Sequence, residues 1–215
     1  TVKVYNGNAV LMDSPFPKGM QGYTSVPNVY RQDLKKAKEY LAKSSQPTGG
    51  FELEYVYVSG LEEPRLIGLA LLDNLAQLNI KLKLVPLVWP NMVARGSKIE
   101  TAPDLMSVFT TPIMSDPDVV AIQYHKDSWG KYYGAHFYQN EKVWEMIQKA
   151  RFATDWNERK NLYEQIQIAI MEDAPEIFCM LYNRRWAFRN HLKGFSFSPI
   201  RLSSEIDIYP FYFTD

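Results

Sequence analysis

One stretch limits the possible folds more than any other: Asp155 to Asn183, DWNERKNLYEQIQIAIMEDAPEIFCMLYN. It joins an N-cap, an amphipathic helix, a proline stop and an apolar strand without a break. Asp155 stands where an N-cap belongs, and Glu158 three residues on can reach back to the cap's amide, a variant of the capping box. Leu162, Ile166, Ala169 and Ile170 recur at i, i+4, i+7 and i+8. That spacing turns one apolar stripe to a core and leaves Arg159, Lys160, Glu164 and Gln167 mostly to solvent. Pro175 ends the helix. From Glu176 to Tyr182, Ile177, Cys179 and Leu181 point one way and Phe178, Met180 and Tyr182 the other, which predicts an interior strand covered on both faces.

The rest of the chain supplies the partners such a strand needs. Thr1 to Asn28 is rich in breakers and reads as loop and turns, with a short strand at Val2 to Tyr5. Asp33 caps a helix whose narrow stripe is Leu34, Ala37 and Leu41, beside a solvated lysine face. Phe51 to Val58 is a strand by its aromatic and β-branched content. Glu62, Glu63 and Pro64 open a helix with Ile67, Leu71, Leu75 and Leu78 on its buried stripe, and Ile80, Leu82 and Leu84 alternate with polar residues in a second strand. Strand, helix, strand in so short a span is a βαβ unit, which makes the pair parallel and the class α/β.

Trp89-Pro90 opens a short helix closed by Gly96, and Asp104 to Phe109 is a third strand. The loop Thr110 to Asp118 then lies at that strand's carboxyl end, where open α/β sheets bind ligands. Glu141 to Arg151 is a further helix, Trp186 to Arg189 is expected to pair back as a hairpin across Arg184-Arg185, and the apolar tail Tyr209 to Phe213 is expected to dock.

Composition enters where function is concerned. Lys plus Arg and Asp plus Glu are 24 each, so no basic field favours nucleic acid or anionic lipid. No run approaches the roughly 18 apolar residues a membrane span needs. Cys179 is alone and sits in an apolar segment, where it reads as a small buried hydrophobe. The usual nucleophile elbow and phosphate loops are absent, and His125, His136 and His191 lack the spacing of a compact zinc signature, so each reads as a surface or hydrogen-bonded side chain. Neither a catalytic group, a metal nor a cofactor is expected. Asp116 and Pro117 read as a structural turn in which the aspartate binds nearby amides. Glu172 and Asp173 oppose the helix dipole and call for compensation from a nearby basic group. Trp89, Phe109, Thr110, Thr111 and Tyr124 have the mixture of rings and hydroxyls that a ligand site uses.

The pattern D-x-x-E-R-x-x-L-Y from Asp155, followed by E-D-A-P and the apolar strand, resembles the family 5 extracellular solute-binding proteins, the dipeptide and oligopeptide receptors of ABC importers. Asp33 to Ser44, Phe51 to Val85, Trp89, Ser115-Asp116-Pro117-Asp118 and Lys193-Gly194-Phe195 fall in the family's order, so the resemblance covers nearly the whole chain. It implies the C-terminal portion of a receptor: a periplasmic-binding-protein-like lobe with a mixed, mainly parallel sheet flanked by helices. It divides the chain into a crossing arm (1–30), a ligand-binding lobe (31–194) and a return segment (195–215). It implies a small-molecule or peptide ligand, ABC permease subunits and an N-terminal lobe of the same protein as partners, and a periplasmic or extracellular location with or without a membrane tether.

Receptors of this family carry a Trp at the place of Trp89 that faces the cleft. They also present an Asp, three residues before the acidic residue of the turn, to a peptide's ammonium. This chain has Ile113 there. An apolar residue favours a ligand without that charge, so an oligosaccharide, an opine-like compound or another amine-poor solute is as much expected as a peptide. Were the ligand an amine, Asp116 would be the acid to meet it. Two other readings stay open: a hydrolase built on Asp116, Asp118 and Tyr124, and a chaperone-like module using the rings from Trp129 to Phe137.

Overall fold

The computed structural model describes residues 7–26, 30–183, 185–197 and 206–215. The strand expected at Val2 to Tyr5 lies outside them. The βαβ unit forms as predicted. Strand β2 (Glu52–Val58) and strand β3 (Lys81–Leu87) run parallel in register from Glu52 opposite Lys81 to Val58 opposite Leu87, with helix α2 (Glu62–Ala76) between them in the chain. Strand β4 (Leu105–Met106) adds in parallel on the other side of β2, giving the order β3-β2-β4. It is shorter than the Asp104 to Phe109 expected. Asp104 leaves the ladder and accepts the Glu54 amide at 2.8 Å with its side chain.

Leu71 and Leu75 of the predicted stripe pack on this sheet's core, and Ile67, Leu71, Leu75 and Leu78 are all only half-buried. The deepest points of the helix are Pro64 and Gly68. A Cβ on Gly68 would stand 2.7 Å from the Tyr55 ring, so the missing side chain lets the helix lie on the strand. Tyr55, Tyr57 and Leu82 form this core with the leucines of α2.

A second core is helical. Helix α4 (Asp118–Ala121), helix α5 (Glu141–Phe152) and helix α6 (Trp156–Asp173) bury Val143, Ile147, Ala150, Tyr163, Ile166 and Ile170 completely, with Phe16 of the N-terminal arm inserted among them. Each such large side chain contributes about 1.5–3 kcal/mol. Asp155 accepts the Glu158 amide at 2.9 Å as the α6 cap, and the helix ends at Ala174 in the left-handed region. Two positions expected in solvent are not there. Gln167 is fully buried, and Arg159 keeps only 18% of its side chain exposed. Gln167 stays buried because all its hydrogen bonds are met: it accepts from Ser14 Oγ (2.6 Å) and the Thr24 amide (3.1 Å) and donates to the carbonyls of Gly22 (2.7 Å) and Tyr163 (2.8 Å). It ties the arm to the bundle.

Helix α1 (Leu34–Leu41), capped by Asp33, covers only the stripe Leu34, Ala37 and Leu41, and helix α3 (Trp89–Arg95) closes at Gly96 as expected. The interior strand predicted from Glu176 to Tyr182 does not form at that length. Strand β5 is Met180–Tyr182, paired antiparallel with strand β1 (Ala9–Leu11), and Ile177 is 62% exposed. A three-residue partner cannot hold a longer ladder. The turn expected at Arg184-Arg185 falls partly outside the described residues; Trp186 to Arg189 form no strand, and strand β6 (Leu192–Lys193) pairs with strand β7 (Tyr212–Phe213). The tail docks on one side only. Phe211 packs on Phe188 at 5.4 Å while Tyr209 is 94% exposed.

Candidate functional site

Between the parallel sheet and the helical core runs an open cleft of about 2200 Å³. Its walls are the arm and α1, the side of α2 that carries Ile67, Leu71 and Leu75, the loop after β4, the turns from Gln123 to Phe137, and the segment Pro175 to Leu181. Position follows from topology: β4 stops after two residues, and the chain beyond it lines the cleft as Phe109, Thr110 and Thr111. Tyr124 joins them from the 3₁₀ turn after α4. The structure therefore brings four of the sequence-selected residues to one cavity. Ile113 is 52% exposed and outside the cleft lining. Trp89, at the first position of α3, is 42% exposed and also off the lining, but its ring meets Tyr132, a lining residue, edge-on at 5.2 Å.

The acidic turn is locked by arginines. Asp116 accepts the Asp118 amide at 2.8 Å and binds Arg159 through two bonds of 2.8 Å. Arg159 also donates to the Ala150 carbonyl (2.9 Å) and the Tyr163 hydroxyl (3.1 Å). Asp118 is held by Arg151 at 2.9 and 3.2 Å. The Arg159 guanidinium holds the Asp116 carboxyl below the usual carboxylate range. The Tyr124 hydroxyl goes elsewhere, to Glu176. Among the described residues no group of three His, Cys, Asp or Glu side chains is placed to hold a metal.

Glu176, His136 and Tyr124 make a cluster that the sequence reading missed. The Tyr124 hydroxyl donates to Glu176 Oε2 at 3.1 Å, His136 Nε2 stands 3.5 Å from Oε1, and the Tyr124 and His136 rings stack at 5.1 Å. His136 Nδ1 accepts the Tyr138 amide at 3.1 Å, so the proton of the neutral ring is on Nε2, which makes no hydrogen bond among the described residues. Burial pushes the Glu176 carboxyl up to about 7 and the His136 imidazole down to about 4. Of the three histidines, His125 (4% exposed) and His136 (9%) are covered and hydrogen-bonded, each accepting a backbone amide on Nδ1, from Asp127 and Tyr138. The signal available in the sequence was a carboxylate opening an otherwise apolar run after Pro175.

Asp173 at the end of α6 is compensated by neutral donors, the Tyr138 hydroxyl and the Asn140 amide (2.7 Å), rather than by the basic group expected. The aromatic segment turns inward. Trp129 meets Trp144 at 5.7 Å and Phe137 at 6.1 Å, and its Nε1 donates to the Tyr138 carbonyl at 3.2 Å.

The description "Bacterial extracellular solute-binding proteins, family 5 Middle" matches residues 1–132. The chain belongs to this family. Over 199 residues it is 29% identical to the "Probable D,D-dipeptide-binding periplasmic protein" of Escherichia coli (strain K12), covering 92% of this chain and 38% of that protein. The chain thus spans under two fifths of that relative. Solved structures share its periplasmic-binding-protein fold. The dipeptide-binding protein of Pseudoalteromonas sp. SM9913 in complex with Met-Leu aligns with a TM-score of 0.79 at 21% identity, covering 99% of this chain and 42% of that one. A binding protein of A. tumefaciens R10 in complex with agropinic acid aligns at 0.78 and 23% identity, covering 91% of this chain and 40% of that one. At these identities the likeness is one of fold. The family is extracellular or periplasmic, and no described helix is long and apolar enough to cross a membrane.

Proposed function

We propose that this chain is the C-terminal ligand-binding portion of an ABC importer's substrate-binding protein, which captures a small solute against an N-terminal lobe and delivers it to the permease. The observation that carries this is the open cleft at the carboxyl end of β4, lined by Phe109, Thr110, Thr111 and Tyr124. It exceeds the roughly 300–1,000 Å³ of a closed small-molecule pocket, as a site completed by a second wall should. Trp89 contributes through Tyr132, whose ring it supports.

Residues 1–30 are the crossing segment, 31–194 the lobe and 195–215 the return. Support comes from β1 and β5, which place the incoming and outgoing strands side by side. Capture is by closure of two lobes, so no catalysis is involved; the bidentate hold of Arg159 on Asp116 leaves that acid engaged in structure. Peptides and opine-like solutes are the first ligands to test, because similar proteins carry or are named for them. The protein acts in the periplasm or outside the cell, with or without a tether.

The test is mass spectrometry of solutes released on denaturing the gently purified full-length protein, with calorimetry of D-Ala-D-Ala as a D,D-dipeptide probe. A stoichiometric small solute supports the reading. Turnover of a substrate that disappears in Asp116→Asn refutes it. The chain of 215 residues alone is expected to bind weaker than the micromolar range, since it has only one wall of the site.

A further inference from the structure

Glu176 differs from the acids of the nearby turn in how it is held. Asp116 and Asp118 are neutralised by arginines. Glu176, with 35% of its side chain exposed, lines the cleft, and among the described residues neither lysine nor arginine lies within salt-bridge distance of it. What lies behind it is neutral: the Tyr124 hydroxyl on Oε2 and His136 Nε2 at 3.5 Å from Oε1.

His136 cannot serve as the missing cation. Its side chain is nine-tenths buried, its Nδ1 is committed as an acceptor, and its Nε2 finds no full hydrogen bond among the described residues. Ionising it there would cost more solvation than the exposed imidazole pays, which is why burial depresses its pKa. The carboxylate is therefore oriented by one neutral donor, the Tyr124 hydroxyl, and left with its charge uncompensated. A partly buried charge in that condition is costly until a counter-charge arrives, and the open side of Glu176 is the cleft. The rings of Tyr132, Tyr133 and Phe109 line the same cavity, surfaces over which a cation is also favourable.

We propose that Glu176, positioned by the Tyr124 hydroxyl, is the specificity-determining acid of the cleft and takes a cationic nitrogen of the solute, an ammonium or guanidinium. The inference rests on the solute-binding reading above. It differs from the expectation drawn from Ile113, which is 52% exposed between the cleft-lining Pro112 and Met114. Asp116, the alternative acid, is already paired. Asp33, Asp104 and Glu172 also line the cleft but are exposed to solvent, so among the described lining acids Glu176 alone is half-buried without a cationic partner.

The experiment uses the full-length protein and a panel of dipeptides, tripeptides and agmatine, each beside its N-acetylated form, with neutral sugars as a third arm. Binding is screened by thermal shift and measured by calorimetry near pH 8. Expected is a free amine or guanidine that binds, an acetylated form at least about 30-fold weaker, and a similar loss in Glu176→Gln, the scale for breaking a desolvated charge pair. Tyr124→Phe, which keeps the ring but removes the hydroxyl, should give a smaller loss.

In the unmutated protein the Glu176 carboxyl carbon, followed by ¹³C NMR, should ionise at lower pH once the cation is bound. The titratable groups facing it are Tyr124, His136 and Cys179. Equal binding of amine and acetylated forms, capture of sugars instead, or an unmoved Glu176 titration overturns the inference and leaves the solute-binding reading standing. Failure of the unmutated protein to bind any small solute overturns both.

Discussion

Asp116→Asn, alone and combined with Arg159→Met, examines the joint between the cleft loop and the helical core. Asp116 accepts three hydrogen bonds, two from Arg159 and one from the Asp118 amide, all at 2.8 Å. Asparagine keeps the amide contact and one neutral bond from the guanidinium, but its own NH₂ must then face an arginine N–H. The Coulomb attraction lost is about 4 kcal/mol at an effective dielectric of about 20, and solvation of the partly exposed partners returns part of it. The net expectation for Asp116→Asn is a loss of about 2–3 kcal/mol.

Arg159→Met also gives up the bonds to Ala150 and Tyr163, so about 3–4 kcal/mol is expected. The double variant should fall short of the sum by about 2 kcal/mol, the interaction energy of the pair. Urea unfolding near pH 7 measures all four proteins. The Asp116 pKa is depressed, so the pair's contribution is complete above the ordinary carboxylate pKa and fades as pH falls through the lower folded value. Asp116→Asn within about 0.5 kcal/mol of the parent, or strict additivity, would refute the reasoning. A catalytic Asp116 predicts the reverse pattern, lost turnover at unchanged stability.

Glu176→Gln should stabilise the ligand-free protein at high pH. The folded carboxyl ionises near 7 against an ordinary value of 4.5, so its contribution is most favourable below about 4.5 and is lost as pH rises through about 7. Gln does not ionise, so the variant should match the parent near pH 4 and exceed it by about 1–2 kcal/mol near pH 8, after discounting for solvation of the exposed third. Chemical denaturation across that range checks it. Gln167→Ala should cost about 3 kcal/mol and expose the arm at residues 14–24 to proteolysis, because three buried hydrogen bonds and a half-buried one lose their partner. Gly68→Ala forces a Cβ to 2.7 Å from the Tyr55 ring and should cost about 1–3 kcal/mol by thermal unfolding. Trp89→Ala, at an exposed position, should weaken solute capture while moving stability by less than about 1 kcal/mol.

Local pattern alone determined a good deal here. The cap at Asp155, the stripe at Ile166 and Ile170, the parallel pair across α2 and the short helix at Trp89 all depend on neighbours within one or two helical turns or on a side-chain period, and a linear sequence displays both. The order of such segments was also enough to suggest the family. What tertiary structure decided involves groups far apart in the chain. Gln167 looked solvated until Ser14, Gly22 and Thr24 arrived to satisfy it. The run from Glu176 looked like an interior strand, yet among the described residues it pairs with the three residues of β1 alone, since pairing length is a property of the partner. Glu176 and His136 are forty residues apart, and nothing periodic links them. Their meeting in a cleft of low polarity, with one pushed toward neutrality from each side, arises only from burial, which is a property of the assembled fold.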